Sequence, residues 1–176
     1  MIRDYSNQGF NMLPIHVTVA AVIESQGKFL MVEEHTSNGG IAFNQPAGHL
    51  DPDESIEQAI IREVKEETGL DFEPEGLVGI YTLNPASNGN YYQRFCFTGS
   101  INGNLETEPQ DPDIIAAHWM DLQEITECIN AHRSGLIVKC LQDYLNGYRF
   151  PLNALHYSGD EDLLQQQSLN FLYDQL

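Results

Sequence analysis

The chain has 176 residues, the size of one domain that buries roughly 70% of its unfolded surface and needs no staples. Eight basic against 26 acidic residues leave a net charge of −18, with no Lys/Arg stripe, which argues against a nucleic-acid polymer or an anionic membrane as partner. Cys96, Cys128 and Cys140 lack a CxxC spacing, no charged-then-apolar leader opens the chain, and no apolar run approaches the ~18 residues of a membrane span, so an unexported protein of the reducing cytoplasm is expected.

The first 13 residues are polar and read as a loosely packed extension. From His16 to Ile23 both alternating faces are apolar, the pattern of a central strand covered on both sides. Ser25-Gln26-Gly27 is turn chemistry, and Lys28 to Glu34 reads as the hairpin partner of that strand. Phe43 to Pro46 is a short strand, confined by Pro46 to an edge or an end. Asp51-Pro52-Asp53 makes a turn. Ser55 with Gln58 is a capping box that starts a helix at Ile56, and Gly69 closes it after Thr68. Ile56, Ala59, Ile60 and Val64 would bury one flank of that helix. Leu77 to Leu83 and Tyr91 to Ile101 read as a second hairpin, and Ile114 to Met120 follows an acidic loop as the last strand. Helices are expected over Asp121 to Ala131 and Ser134 to Asn146, the latter ended by Gly147. After Ser158 the acidic, leucine-bearing segment predicts a short amphipathic helix that docks on the body or on another copy. Strands interleaved with helices in this order give an α/β fold with a mixed sheet between helical layers.

The first helix carries the chemistry. At about 100° per residue, Glu67 falls roughly 40° and Glu66 roughly −60° from Glu63, so three carboxylates share one side. Like charges at i,i+4 oppose helix formation by about 0.2–0.5 kcal/mol per pair. A hard divalent cation supplies the missing counter-charge, and carboxylate oxygens suit Mg²⁺ or Mn²⁺. Arg62, four residues before Glu66, can form a helix-surface ion pair with it.

The stretch GHLDPDESIEQAIIREVKEETGL, from Gly48 to Leu70, resembles the Nudix box of the Nudix hydrolase family. Gly48, Glu54, Arg62, Glu63, Val64, Glu66, Glu67, Gly69 and Leu70 occupy its specified positions without a departure. HVTVAAVIESQGKFLMVEE, FNQPAGHLDPDES and DPDIIAAHWMDLQEI extend the similarity to bacterial phosphatases of the NudJ type, over about Pro14 to Tyr157. The resemblance implies a Nudix α/β/α sandwich over 14–157, flanked by the extension at 1–13 and the tail at 158–176. It implies that Glu63, Glu66 and Glu67 bind the metal, with the Gly48 carbonyl as an extra ligand. Arg62 would orient these carboxylates, and Glu54 would reach a ligand directly or through Arg62. Glu63 is the first candidate for the general base, with Asp111 and Asp113 as runners-up from the later acidic loop.

Other residues are candidates for the substrate. His49 follows the box glycine, Arg94 could clamp a phosphate from its strand with Tyr92 on the same face, Gln45 could be a polar group of the pocket, and Phe43, Tyr91 or Phe95 could stack on a base. His16, His118 and His156 show no metal-ligand spacing. The resulting expectation is a Mg²⁺-dependent enzyme, monomeric or homodimeric, that cleaves nucleoside tri- and diphosphates and extends to thiamine-type pyrophosphates. The alternatives are a Nudix pyrophosphatase for ADP-ribose, dinucleoside polyphosphates or oxidised nucleotides, and a non-catalytic nucleotide-sensing or interaction module.

Overall fold

The computed structural model describes residues 14–84 and 89–159 together with Phe171. The extension over 1–13 and nearly all of the expected C-terminal helix lie outside the described residues. In chain order the elements are β1 (Ile15–Val22), β2 (Glu24–Ser25), β3 (Lys28–His35), β4 (Ile41–Asn44), β5 (Ala47–His49), α1 (Ile56–Thr68), β6 (Asp71–Leu83), β7 (Tyr91–Asn102), β8 (Ile114–Met120), α2 (Leu122–Glu127) and α3 (Leu136–Leu145). Short 3₁₀ turns occupy Ile129–Ala131 and Leu152–Ala154.

One sheet has the order β5-β1-β7-β6 and is mixed, because β1 runs parallel to β7 and antiparallel to β5. In the other, β3 pairs with β2 and β4 and also with β8, all antiparallel. Val19, Ala21 and Ile23 of the β1 segment pack with Ala59, Ile60 and Val64 of α1, whereas Ala20 and Val22 pack with Ile125 of α2 and with Ile137, Cys140 and Leu141 of α3. Strands therefore lie between helices on both sides, an α/β/α sandwich, and β1 is the doubly buried strand that its two apolar faces predict. Among the described residues no helix is long and apolar enough to cross a membrane.

The first hairpin differs from its sequence reading. Lys28–His35 does not pair with β1, since β7 occupies one edge of β1 along its whole length and β5 takes the other. Instead the chain leaves the first sheet at Ile23, and a tight turn with positive φ at Gln26 and Gly27 joins β2 to β3 in the second. The β6–β7 hairpin is present but longer, because β6 begins at Asp71. Pro74 and Gly76, which look like punctuation, sit at register shifts in a strand at the sheet edge, where a missing ladder donor is tolerated. The α2 helix stops at Glu127 and gives way to a 3₁₀ turn, and α3 starts two residues later than expected.

Helix α1 follows its sequence signals at both ends. Ser55 Oγ accepts from the Gln58 N–H at 3.0 Å, and Gln58 Oε1 accepts from the Ser55 N–H at 2.7 Å. Gly69 takes φ 77° and donates to the Lys65 carbonyl. A side chain there would also strike the Glu108 carbonyl at 2.5 Å, because the acidic loop crosses the end of α1. That loop is tied down by N–H donors of Glu108 to the Thr68 carbonyl and of Gln110 and Asp111 to the Glu66 carbonyl.

Candidate active site

The approach to α1 and its exposed edge meet at Arg62. Its Nη2 and Nε donate to the two oxygens of Glu54 at 2.7 and 3.1 Å, Nη1 donates to Glu63 Oε1 at 2.8 Å and to Glu66 Oε2 at 3.2 Å, and Nη2 also reaches the His49 carbonyl at 3.0 Å. One planar guanidinium thus ties the turn before the helix to two of its carboxylates, a geometry Lys could not reproduce. Gly48 in β5 sits opposite Val19 of β1. A Cβ at Gly48 would lie 2.1 Å from the Glu63 carboxyl, so glycine lets the backbone close on that group.

Depth separates the carboxylates. Glu67 is 5% exposed, and its Oε2 accepts from the Ala47 N–H at 2.7 Å. Burial pushes its carboxyl well above the usual carboxylate range, and the nearby charges of Glu63, Glu34 and Asp111 push in the same direction. Glu63, also buried, is raised by burial against the opposing pull of Arg62. The Arg62 hydrogen bonds hold Glu54 below its ordinary value, while the Glu66 side chain remains about half exposed. Asp111 and Asp113, brought over the helix end by the acidic loop, line the same cleft as Glu34, Glu63 and Glu67.

A second cavity of about 240 Å³ adjoins the first and shares Glu34, Ala47, Gly48, His49 and Arg133 with it. Arg94, buried in β7, lines it together with buried Asn44 of β4 and the partly exposed Tyr92 and Leu136. His49 borders both cavities, stands 5.9 Å from the His16 ring, and has its imidazole pKa lowered by burial and by His16. Gln45 departs from the expectation of a pocket residue, since it is 1% exposed and lines neither cavity. Its side chain is turned into the protein at the end of β4. Phe43 also lines neither and lies near the His118 ring, with 6.4 Å between centroids.

Glu34, Asn44 and Arg133 were not singled out by sequence reasoning. Glu34 did carry a signal: it continues the alternation Leu30, Val32, whose side chains enter the α1 core, so a charged group takes an inward position at a strand end. Arg133 carried none, because only the tertiary path after α2 brings it to 3.9 Å from Glu34.

Carboxylate oxygens outnumber the imidazoles of His35 and His49 in the cleft and no cysteine lines it, which fits a hard divalent cation and not a thiolate-seeking metal. Glu63, Glu67 and the more exposed Glu66 are the side chains that could hold one, beside the close-approaching Gly48. Among the described residues no three His, Cys, Asp or Glu side chains are gathered into a complete cage. Mg²⁺ does not require one, since it commonly keeps waters and substrate oxygens as ligands.

The chain is similar to known proteins over most of its length. The family model of the NUDIX domain matches residues 12–139. Phosphatase NudJ of Escherichia coli K12 is 38% identical over 144 residues, covering 82% of this chain and 92% of its own. A NUDIX hydrolase from Nitrosomonas europaea superposes with a TM-score of 0.80 at 46% identity, over 84% of this chain and all of that one. A bifunctional NMN adenylyltransferase/ADP ribose pyrophosphatase from Francisella tularensis, complexed with AMP and a Mn ion, shares the fold at 22% identity and a TM-score of 0.64, over 78% of this chain and 43% of its own. With the box turn, the carboxylate helix and these relatives in agreement, the chain belongs to the Nudix hydrolase family.

Proposed function

We propose that the protein is a Mg²⁺-dependent phosphohydrolase, also able to use Mn²⁺, that cleaves small phosphoanhydrides and acts on nucleoside tri- and diphosphates with release of orthophosphate. The observation that carries this reading is the pair of buried carboxylates, Glu63 and Glu67, crowded against Gly48 and the Ala47 N–H with their charged forms disfavoured by burial. Such a pair gains from a cation. When bound, the ion supplies positive charge to the anhydride oxygens and activates water as a Lewis acid.

The chain's own residues do the positioning. Arg62 fixes Glu63 and Glu66 relative to the Glu54 turn, which limits the carboxylates to few rotamers and favours reaction through orientation. Glu63 is the first candidate to take the proton of the attacking water, and Asp111 is the next, held over the cleft by its N–H bond to the Glu66 carbonyl. The name of the NudJ phosphatase relative supports orthophosphate release. Thiamine-type pyrophosphates belong to the same anhydride class.

The test is a turnover screen in excess Mg²⁺ that resolves every phosphorus-containing product. Orthophosphate should accumulate from nucleoside triphosphates and diphosphates. Release of pyrophosphate with nucleoside monophosphate would remove the phosphatase assignment, and cleavage confined to ADP-ribose or dinucleoside polyphosphates would move the chain to another Nudix activity. Nucleotide binding without turnover would favour a sensor.

A further inference from the structure

A further opening, of about 740 Å³, shares no residue with the carboxylate cleft or with the cavity beside it. Its walls are the first turns of α1 and the segment that follows the 3₁₀ turn at Leu152–Ala154, with Leu50, Ile56, Ile61, Leu155 and Tyr157 as the apolar lining. Leu50, Ile56 and Leu155 pack against the core yet stay partly exposed. Ile61 is 41% exposed and Tyr157 52%. An apolar patch that runs across two elements inside a polar rim marks an interaction surface. The course of the chain names what covers it. Leu77 and Phe150 exchange backbone hydrogen bonds at 2.8 Å in both directions, and the Leu155 N–H donates to the Leu152 carbonyl, so the chain is delivered to the groove along a fixed path. It passes along the wall as far as Tyr157, and seventeen residues, Asp160 to Leu176, follow Gly159. Five extended residues reach about 17 Å, enough to bring Leu164 back over the lining just passed.

We propose that residues 160–176 form an amphipathic helix whose leucine face docks in this groove of the same chain. On a helix at about 100° per residue, Leu164, Leu169, Leu172 and Leu176 share an arc of roughly 140°. Phe171, helical and 64% exposed, falls about 20° outside that arc, a position at the rim. Asp160, Glu161 and Asp162 precede the first leucine and sit at the N-terminal end of such a helix, where its dipole favours acids. A second copy is the weaker occupant, because a net charge of −18 on each chain opposes the pairing of two bodies. A tethered segment instead acts at an effective concentration of roughly millimolar. Glu54 and Ser55 line the groove, and the charge of Glu54 is already met by two hydrogen bonds from Arg62. The docked helix therefore straps the turn on which Arg62 rests. This inference does not depend on the phosphohydrolase reading.

Hydrogen–deuterium exchange of the full chain, followed by mass spectrometry alongside light scattering, tests this without reference to activity. In the wild type, amides over 163–172 should exchange at least about tenfold more slowly than in a free peptide of the same sequence. An isolated helix of this length is marginal in water, so such protection reports docking. Leu164→Asp combined with Leu172→Asp on the tail, and Ile61→Glu on the wall, should each abolish the protection and speed exchange of the turn over 51–56, while protection of α3 stays as in the wild type. Exchange of the wild-type tail at the free-peptide rate overturns the proposal. Protection that survives Ile61→Glu puts the tail elsewhere on the body and overturns the groove assignment. Protection that fades on dilution together with the mass of a dimer makes a second copy the occupant and overturns docking within one chain. Should a variant also unprotect α3, Ile61→Cys with Leu172→Cys in the full chain takes its place. Crosslinking of that pair within one chain by a short bismaleimide then supports the docked helix, and its absence overturns it.

Discussion

The carboxylate cleft and the arginine-lined cavity share five residues but are built on opposite principles. In the cleft, acidic groups crowd until burial lifts Glu63 and Glu67 above their ordinary range. In the cavity, a buried guanidinium is left short of acceptors. The cleft thus favours positive charge from outside, whereas the cavity brings its own in Arg94 and Arg133. The contrast teaches that the two sides are electrostatically distinct, so substitutions on them should fail in different ways.

The largest separation is expected from Glu66→Gln and Glu67→Gln. Each should lower kcat by roughly 10²-fold or more in steady-state assays, because an outer-sphere or ligand change of this kind commonly costs that much, while circular dichroism shows the fold retained. Unchanged turnover in both variants would dissolve the assignment of the cleft. Next comes Gly48→Ala. Its new methyl group would meet the movable end of the Glu63 side chain, so Glu63 can yield without unfolding the protein. Turnover should fall about tenfold, on the scale of a misplaced catalytic group, with a melting temperature close to that of the wild type. A large drop in melting temperature with normal turnover of the folded fraction would show that Gly48 serves the fold alone.

The same contrast explains what could be read from residues in order. Helix α1 with its caps, the Arg62 partners and the carboxylate face were legible because their determinants lie within one short stretch and act through local geometry. Ser55 and Gln58 cap a helix wherever it packs. The cavity takes residues from β1, β3, β4, β5, β6, β7, the segment before α3 and the first residue of α3, and no spacing along the chain encodes such a convergence. Arg94 stood out by residue type, but its unmet donors are a property of its neighbours in space. The wrong partner for β3 has a similar origin. Adjacency along the chain and a good turn suggested β1, whereas the competition of β5 and β7 for the edges of β1 decided the pairing.

Acid titration should sharpen the comparison within the cleft, on the scale of a few degrees of melting temperature. Burial raises Glu67, so the stability tied to its protonated form is complete below the unfolded pKa of about 4.3 and is lost as pH rises through the folded value. Metal-free wild type should therefore weaken relative to Glu67→Gln as pH climbs from about 5 to 8. Arg62 lowers Glu54, so its contribution is present above about 4.3 and disappears as pH falls through the folded value. Wild type should exceed Glu54→Gln near neutrality and lose that margin on acidification. Thermal melts of both variants across pH measure these two slopes, and slopes of the same sign would contradict the division between a buried carboxyl and a paired one.

The smallest effect should belong to Arg133→Ala. Arg133 is exposed and stands 3.9 Å from Glu34, beyond hydrogen-bond reach, so the pair is worth about 0–1 kcal/mol. Its loss should move the midpoint of chemical unfolding by no more than that. Arg94 is sealed inside the cavity and Arg133 is wetted at its rim, so the two arginines also divide directional bonding from field. If Arg133→Ala costs nucleotide affinity as heavily as Arg94→Gln, the cavity acts through its summed positive charge. Should added salt erase the difference between wild type and Arg133→Ala while leaving that between wild type and Arg94→Gln in place, directional bonding by the buried guanidinium outweighs the field of the exposed one, because screening reaches exposed charges far more than buried ones.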